Sequence, residues 1–237
     1  MVRALTTIAV DGIAEIRRGD EIAEHIAVAA ERQGTPLLHG DCVVVTQKIV
    51  SKAEGRIVAL DPHDPDAKRR LIDDESVRIV RRRGDLVISE TRHGFVCANA
   101  GIDLSNVDAG TAALLPLDAD RSAKHIRDAI RARVGVEVAV VVSDTFGRPW
   151  RMGLTDVAIG VSGIAAVLDL RDTPDATGRI LQVTEVAIAD EVAGAAELVM
   201  GKSHGIPAAI VRGLDPAWFR EGSVRELVRP PAEDLFR

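Results

Sequence analysis

Residues 136–151 read VEVAVVVSDTFGRPWR, and the fold class turns on them. Val136–Val142 is dense in β-branched side chains and shows no helical period, which predicts a strand buried on both faces. The chain then changes character. Ser143, Asp144 and Thr145 supply oxygens, Gly147 and Pro149 predict a turn, and Arg148 and Arg151 bracket Trp150. Residues 41–56, DCVVVTQKIVSKAEGR, repeat the pattern. Here a buried strand from Asp41 to Val45 is predicted to continue through Thr46 to Val50. It then passes into a polar loop around Lys52, Glu54 and Arg56. Polar residues delivered at the ends of apolar strands are where function collects.

Outward from these strands, elements alternate without the regular cadence of a doubly wound sheet. Leu5–Val10 is a short apolar segment closed by Asp11–Gly12. Ile22, Ile26 and Ala29–Ala30 recur at helical spacing between Asp20 and Gly34. Residues 64–83 predict one or two exposed helices, with Arg81–Arg83 as a solvated helix end. Leu86–Ser89 and Phe95–Ala98 predict strands. A helix starts near Asp120 and carries Ala123, Ile126, Ile130 and Val134 up to Gly135. Val157–Leu170 predicts a bent strand, Glu185–Met200 a helix capped by Thr184, and Pro207–Arg212 a last strand. The class is α+β with a mixed sheet, neither Rossmann nor P-loop, in one domain spanning 1–237.

Composition narrows the function. The 237 residues carry 36 acidic against 30 basic side chains, a net charge of −6, with four Phe, two Trp and no Tyr. This excludes a global electropositive footprint for nucleic acid and a stacking platform for single strands. No window approaches the ~20 apolar residues of a membrane span. Cys42 and Cys97 lie beside apolar runs without zinc spacing and are expected to be buried, reduced thiols, so the protein is expected to be cytoplasmic. No GxGxxG, HExxH, CxxC or GxSxG occurs. AELVMGKS at 196–203 ends like a P-loop but starts on Ala196 and closes a predicted helix.

Three polar clusters remain. In the first, Lys48, Lys52 and Arg56 suit phosphate oxygens, or form a solvated loop. In the second, FVCANAGIDLSNVDAG (95–110), Asp103 and Asn106 present oxygens suited to a hard cation, or cap Asx turns. In the third, Asp144 and Thr145 suit Mg²⁺ or Mn²⁺ and the two arginines suit phosphate or carboxylate, or the segment is a structural turn. Together they describe a metal–phosphate site.

The blocks VVVTQKIVSKAEGRIV, GFVCANAGIDLSNV, SDTFGRPWRMG and TDVAIGVSGI, in this order and spacing, resemble the coenzyme F-420:L-glutamate ligase (CofE) family over about residues 8–213. The resemblance implies a GTP-dependent ligase. It would join L-glutamate to the carboxylate of a deazaflavin precursor through an acyl phosphate and then add γ-linked glutamates. It also implies two divalent sites for Mg²⁺ or Mn²⁺, potassium as an aid, and an intertwined homodimer of mixed fold, here without the nitroreductase-like module of longer relatives. Matched position by position, Asp103, Asp144 and Thr145 correspond to metal ligands. Ile13, Ala14, Glu15, Ile16, Gln47, Lys52 and Asn106 correspond to guanine-nucleotide contacts. Lys202 and Ser203 fall in a further nucleotide loop. Arg148 and Arg151 are the candidates for holding γ-phosphate or glutamate carboxylates. Two other readings fit the same clusters: an amide ligase or phosphohydrolase with a different acceptor, and a GTP-binding module without turnover.

Overall fold

Both valine-rich segments are strands, and they lie side by side. Residues 4–235 are described in a computed structural model. The first half holds β1 (Thr6–Ala9), α1 (Ile22–Arg32), β2 (Cys42–Thr46), α2 (Gln47–Ala53), β3 (Ile57–Ala59), α3 (Ala67–Glu75), β4 (Ser76–Arg83), β5 (Leu86–Thr91), β6 (Val96–Ala98) and β7 (Thr111–Ala113). The second half holds α4 (Ala119–Val134), β8 (Ala139–Arg148), β9 (Arg151–Ser162), β10 (Leu168–Asp169), β11 (Glu185–Val186), α5 (Ile188–Met200) and β12 (Ala208–Arg212).

The central sheet has five strands in the order β1-β12-β2-β8-β9. Only β2 and β8 are parallel neighbours, registered from Cys42 opposite Ala139 to Thr46 opposite Ser143. The other pairings are antiparallel. The sheet is therefore mixed, as the irregular alternation of elements implies.

Strand alternation explains the unbroken runs of valine. Val43, Val45, Val140 and Val142 pack with α1 and α4 on one face. Cys42, Val44, Ala139 and Val141 pack with Ala189, Val192, Ala193 and Ala196 of α5 on the other. A strand covered on both faces must be apolar at every position, not at every second one. Helix α4 begins where Asp118 accepts a hydrogen bond from the Arg121 N–H at 3.0 Å, and it ends at left-handed Gly135. Its first turn lies so close to β9 that a Cβ on Gly160 would stand 2.4 Å from the Ala119 backbone. A smaller core of Ile72, Val87, Ala100, Ile102, Ala112 and Leu114 joins α3 to the two-stranded β3-β7 sheet and the three-stranded β4-β5-β6 sheet.

Four sequence expectations are corrected. The strand predicted to reach Val50 stops at Thr46, and α2 takes over. Gln47, Val50 and Ser51 are buried, a helical spacing that the β-branched residues conceal. Residues 76–83 form an edge strand and not a helix, so the arginines of 81–83 lie along β4 against β5. Charge on an edge strand discourages pairing with another chain. The apolar run from Val157 ends as a strand at Ser162, before Gly163 at φ +79°. The helix predicted over 185–200 begins at Ile188, because Glu185 and Val186 pair with β10.

Candidate active site

The parallel pair sets the position of the site. A cleft of about 490 Å³ opens where β2 and β8 point their C-terminal ends, and it is lined from five directions. Open sheets bind ligands at this end of parallel strands, where the chain leaves the sheet and side chains converge. The segment after β1 supplies Ile13, Ala14, Glu15 and Ile16, and helix α2 supplies Gln47, Lys48 and Lys52. The loop after β6 brings Asp103, Ser105 and Asn106. The β8–β9 pair brings Ser143, Asp144, Thr145 and Asp156, and the end of α5 brings Glu197 and Lys202.

Lys48 and Lys52 lie one helical turn apart on α2, which puts both on one face; they are not loop residues. Lys48 Nζ bonds Asp103 Oδ2 at 2.8 Å and Ser105 Oγ at 2.9 Å. Lys52 bonds Glu15. Gln47 is 2% exposed. Its Oε1 accepts from Ser51 Oγ at 2.8 Å, while its buried Nε2 has no partner. Asp103 also accepts the Ser105 N–H at 2.7 Å, so the Asx turn is real and coexists with the Lys48 ion pair. Burial pushes the Asp103 carboxyl upward, but Lys48 and Ser105 outweigh it and hold the carboxyl below its ordinary value. Asn106 takes left-handed φ of +52° in the same loop.

The β8–β9 hairpin carries a linked set of charged groups. Thr145 stands opposite Asp156 in the strand register. Asp156 is 3% exposed and accepts from Ser143 Oγ at 3.0 Å and Thr145 Oγ1 at 2.6 Å. Glu197 accepts the Asp156 backbone N–H at 2.9 Å. Lys202 Nζ reaches Asp156 at 2.7 Å, Glu197 at 2.9 Å and also Thr145. Burial pushes the Asp144 carboxyl up to about 7. The Asp103 and Asp156 carboxylates add to that push, while the Thr145 backbone N–H and Lys202 oppose it.

Asp156 and Glu197 are functional candidates that sequence reasoning missed. Asp156 stands second in the block TDVAIGVSGI, and a carboxylate set directly before an apolar run was the available signal. Glu197 sits on the helix in no motif. The structure brings Asp103, Asp144, Thr145, Lys52, Gln47, Asn106, Lys202 and residues 13–16 together. It leaves out three candidates. Ser203 is exposed and is absent from the lining. Arg148 and Arg151 flank the exposed hairpin turn, where an Arg148 Nη donates to the Met152 carbonyl at 2.5 Å. They sit there because β8 does not end at Asp144 but runs on to residue 148.

Five carboxylates, on Glu15, Asp103, Asp144, Asp156 and Glu197, face three lysines in this cleft. The surplus of hard oxygen donors fits a divalent cation, and a carboxyl driven toward neutrality marks where positive charge is short. Among the described residues no three His, Cys, Asp or Glu side chains are gathered into a ready cage. Lysines hold part of the acidic set instead.

Residues 12–213 match the family model described as F420-0:Gamma-glutamyl ligase. The chain is 45% identical to the coenzyme F420:L-glutamate ligase of Methanothermobacter thermautotrophicus, over 98% of this chain and 99% of that one. It is 43% identical to the protein of the same name from Methanopyrus kandleri, over 94% of each. With that of Methanocaldococcus jannaschii it shares 42% identity, over 85% of this chain and 86% of the other. With a family model spanning most of the sequence and relatives this similar along most of their length, the chain belongs to the F420-0:gamma-glutamyl ligase family.

Proposed function

We propose that this protein is a cytoplasmic, GTP-dependent ligase that joins L-glutamate to the deazaflavin precursor F420-0 and extends the product through γ-linkages. The observation that carries the reading is a cleft holding surplus carboxylates and three lysines, in a chain of this family. A carboxylate and an amine do not condense in water unaided. The precursor carboxylate attacks the γ-phosphorus of GTP, GDP leaves, and an acyl phosphate forms. The glutamate amine, having lost a proton, then attacks the acyl carbon, and inorganic phosphate leaves with the bonding pair.

Transfer of this kind rests on positioning and on neutralising anionic oxygens. Lys52 and Lys48 present ammonium groups from one face of α2 for phosphate oxygens. The buried amide of Gln47 offers a donor that the protein leaves unsatisfied. Asp103, Asp144, Thr145, Asp156 and Glu197 are the residues that would hold Mg²⁺ or Mn²⁺. Such an ion, when bound, screens phosphate charge and polarises the transferring group. Leu154, Met200 and Ile206 line the cleft with apolar surface that limits water around the acyl phosphate.

A homodimer also fits. The β8–β9 hairpin leaves Trp150, Met152 and Leu154 exposed at 80%, 93% and 66%, an apolar arm suited to a second copy. Sedimentation at micromolar concentration tests this, and a monomer would remove the arm's assigned role. The function itself is tested by incubating the protein with F420-0, GTP, glutamate and Mn²⁺ and reading product mass. Increments of one or more glutamyl units are expected. Phosphate release without such increments would turn the assignment to a phosphohydrolase, and GTP binding without any turnover would turn it to a binding module.

A further inference from the structure

We propose that Lys202 is a tethered counter-cation, which occupies the acidic oxygens of the cleft when no metal is there and must leave them for a divalent ion to bind. The inference rests on the metal reading above and concerns this chain's own side chain. Its Nζ lies 2.7 Å from Asp156 Oδ1 and 2.9 Å from Glu197 Oε1, with Thr145 Oγ1 also in contact. These are three of the oxygens that a hard cation would take. An ammonium donates to the same lone pairs that a metal would accept, so the two cannot share them.

The backbone around Lys202 suits such a departure. Helix α5 ends at Met200, and Gly201 takes φ +62°, outside helical geometry, turning the chain out of the helix. Residues 202–204 are exposed bends. The Lys202 side chain is 53% exposed while Asp156, its partner, is 3% exposed. The cation can therefore swing into solvent on its flexible stem, whereas the carboxylate is held by Ser143, Thr145 and the strand itself. One partner is fixed and the other is free to move, as exchange of counter-ions requires. The three lysines are unequal in this respect: the Lys48 and Lys52 side chains are only 17% and 18% exposed, on a helix.

Competition makes a quantitative demand. A charge-assisted contact contributes about 10–100-fold to an equilibrium, and solvent screening of a half-exposed side chain reduces this to about three- to tenfold. Metal binding to the protein without nucleotide is therefore weakened by that factor through Lys202. The test is a Mn²⁺ titration of the full chain, with free ion read by electron paramagnetic resonance, comparing wild type, Lys202→Met and Lys202→Arg. Lys202→Met keeps the stem and removes the charge, and it is expected to bind Mn²⁺ about three- to tenfold more tightly. It should also melt lower than wild type in chelator and recover with Mn²⁺, because its carboxylates then repel one another unshielded. Lys202→Arg should stay with wild type. Equal or weaker Mn²⁺ affinity in Lys202→Met overturns the proposal while the metal reading stands. An equal gain in Lys202→Arg overturns it too, since charge would not be the cause. If no variant binds Mn²⁺, the metal reading falls and takes this one with it.

Discussion

Two clefts lie at opposite ends of the same central sheet, and the larger one is not the candidate site. At the end where β2 and β8 begin, a cleft of about 700 Å³ is lined by Asp41, Arg127, Glu137, Arg212, Arg220 and Glu221 among others. Its charges are closed in pairs. Arg212 grips Asp41 through two bonds of 2.8 Å, Arg127 bonds Glu221, and Arg220 bonds Glu226 at 2.6 Å. At the other end, where the strands finish, the smaller cleft holds more carboxylates than cations and a buried amide donor without a partner. One end is electrostatically satisfied by the protein alone, and the other keeps surplus negative charge and an unpaired buried amide. Volume does not separate them; unsatisfied charge does.

The sharpest way to break this comparison is one carboxylate from each end. Asp144→Asn keeps the shape of its side chain and removes a charge from the unsatisfied cleft. Ligase turnover is expected to fall by at least ~100-fold with folding retained, since even changes to groups supporting a metal ligand cost about 10–100-fold. Asp41→Ala should do the reverse. Asp41 is fully buried, and losing its charge-assisted bonds to the partly exposed Arg212 costs about 1.5–3 kcal/mol. The melting temperature should drop by about 5–10 °C for a chain of this size while the folded fraction keeps its turnover. Near-normal activity in Asp144→Asn, or loss of turnover per folded molecule in Asp41→Ala, would erase the distinction between the ends.

A second comparison lies within the active cleft. Lys52→Ala removes one of the two lysines on the α2 face. A charge-assisted phosphate contact is worth roughly 1.5–3 kcal/mol, so GTP affinity measured by calorimetry should weaken ~10–100-fold. Its partner Glu15 is 70% exposed, and an exposed pair contributes about 0–1 kcal/mol, so melting should barely move. Unchanged GTP affinity would leave Lys52 as a surface residue paired with Glu15 and nothing more.

How far the sequence carried this picture depended on the range of each signal. Val43–Val45 and Val140–Val142 were legible because burial on both faces writes itself into consecutive residues. Asp103, Asp144 and Thr145 were legible because they follow or interrupt such runs. The start of α2 was not, since Ile49 and Val50 satisfy strand and helix patterns equally over so short a stretch. Asp156 and Glu197 escaped because their meaning is tertiary. Asp156 matters through the strand register that sets it against Thr145, and Glu197 through the end of a helix whose carboxylate meets the Asp156 backbone. Arg148 and Arg151 lie outside the cleft lining for the converse reason. Close in sequence to Asp144, they are carried away from it by a hairpin whose length no local pattern reveals.

The most specific expected effect is a dependence on pH in the metal-free protein. Burial and the neighbouring Asp103 and Asp156 carboxylates lift Asp144 to about 7, against ~3.9 for an unfolded aspartate. Between these values the folded chain holds a proton that the unfolded chain has released. Stability falls with rising pH wherever the native state binds the more protons, so the Asp144 contribution weakens the fold progressively from about pH 4 to about pH 7. The amide that Asp144→Asn puts in its place has no proton to lose. Scanned calorimetry in chelator should therefore find wild type and Asp144→Asn alike near pH 4, with the variant melting higher by up to about 10 °C at about pH 8. Mn²⁺ at that higher pH should close or reverse the gap, because it supplies wild type with the positive charge its carboxylates lack. A gap that stays constant across pH would mean that Asp144 ionises normally. In that case the two ends of the sheet would not differ in the way their charges imply.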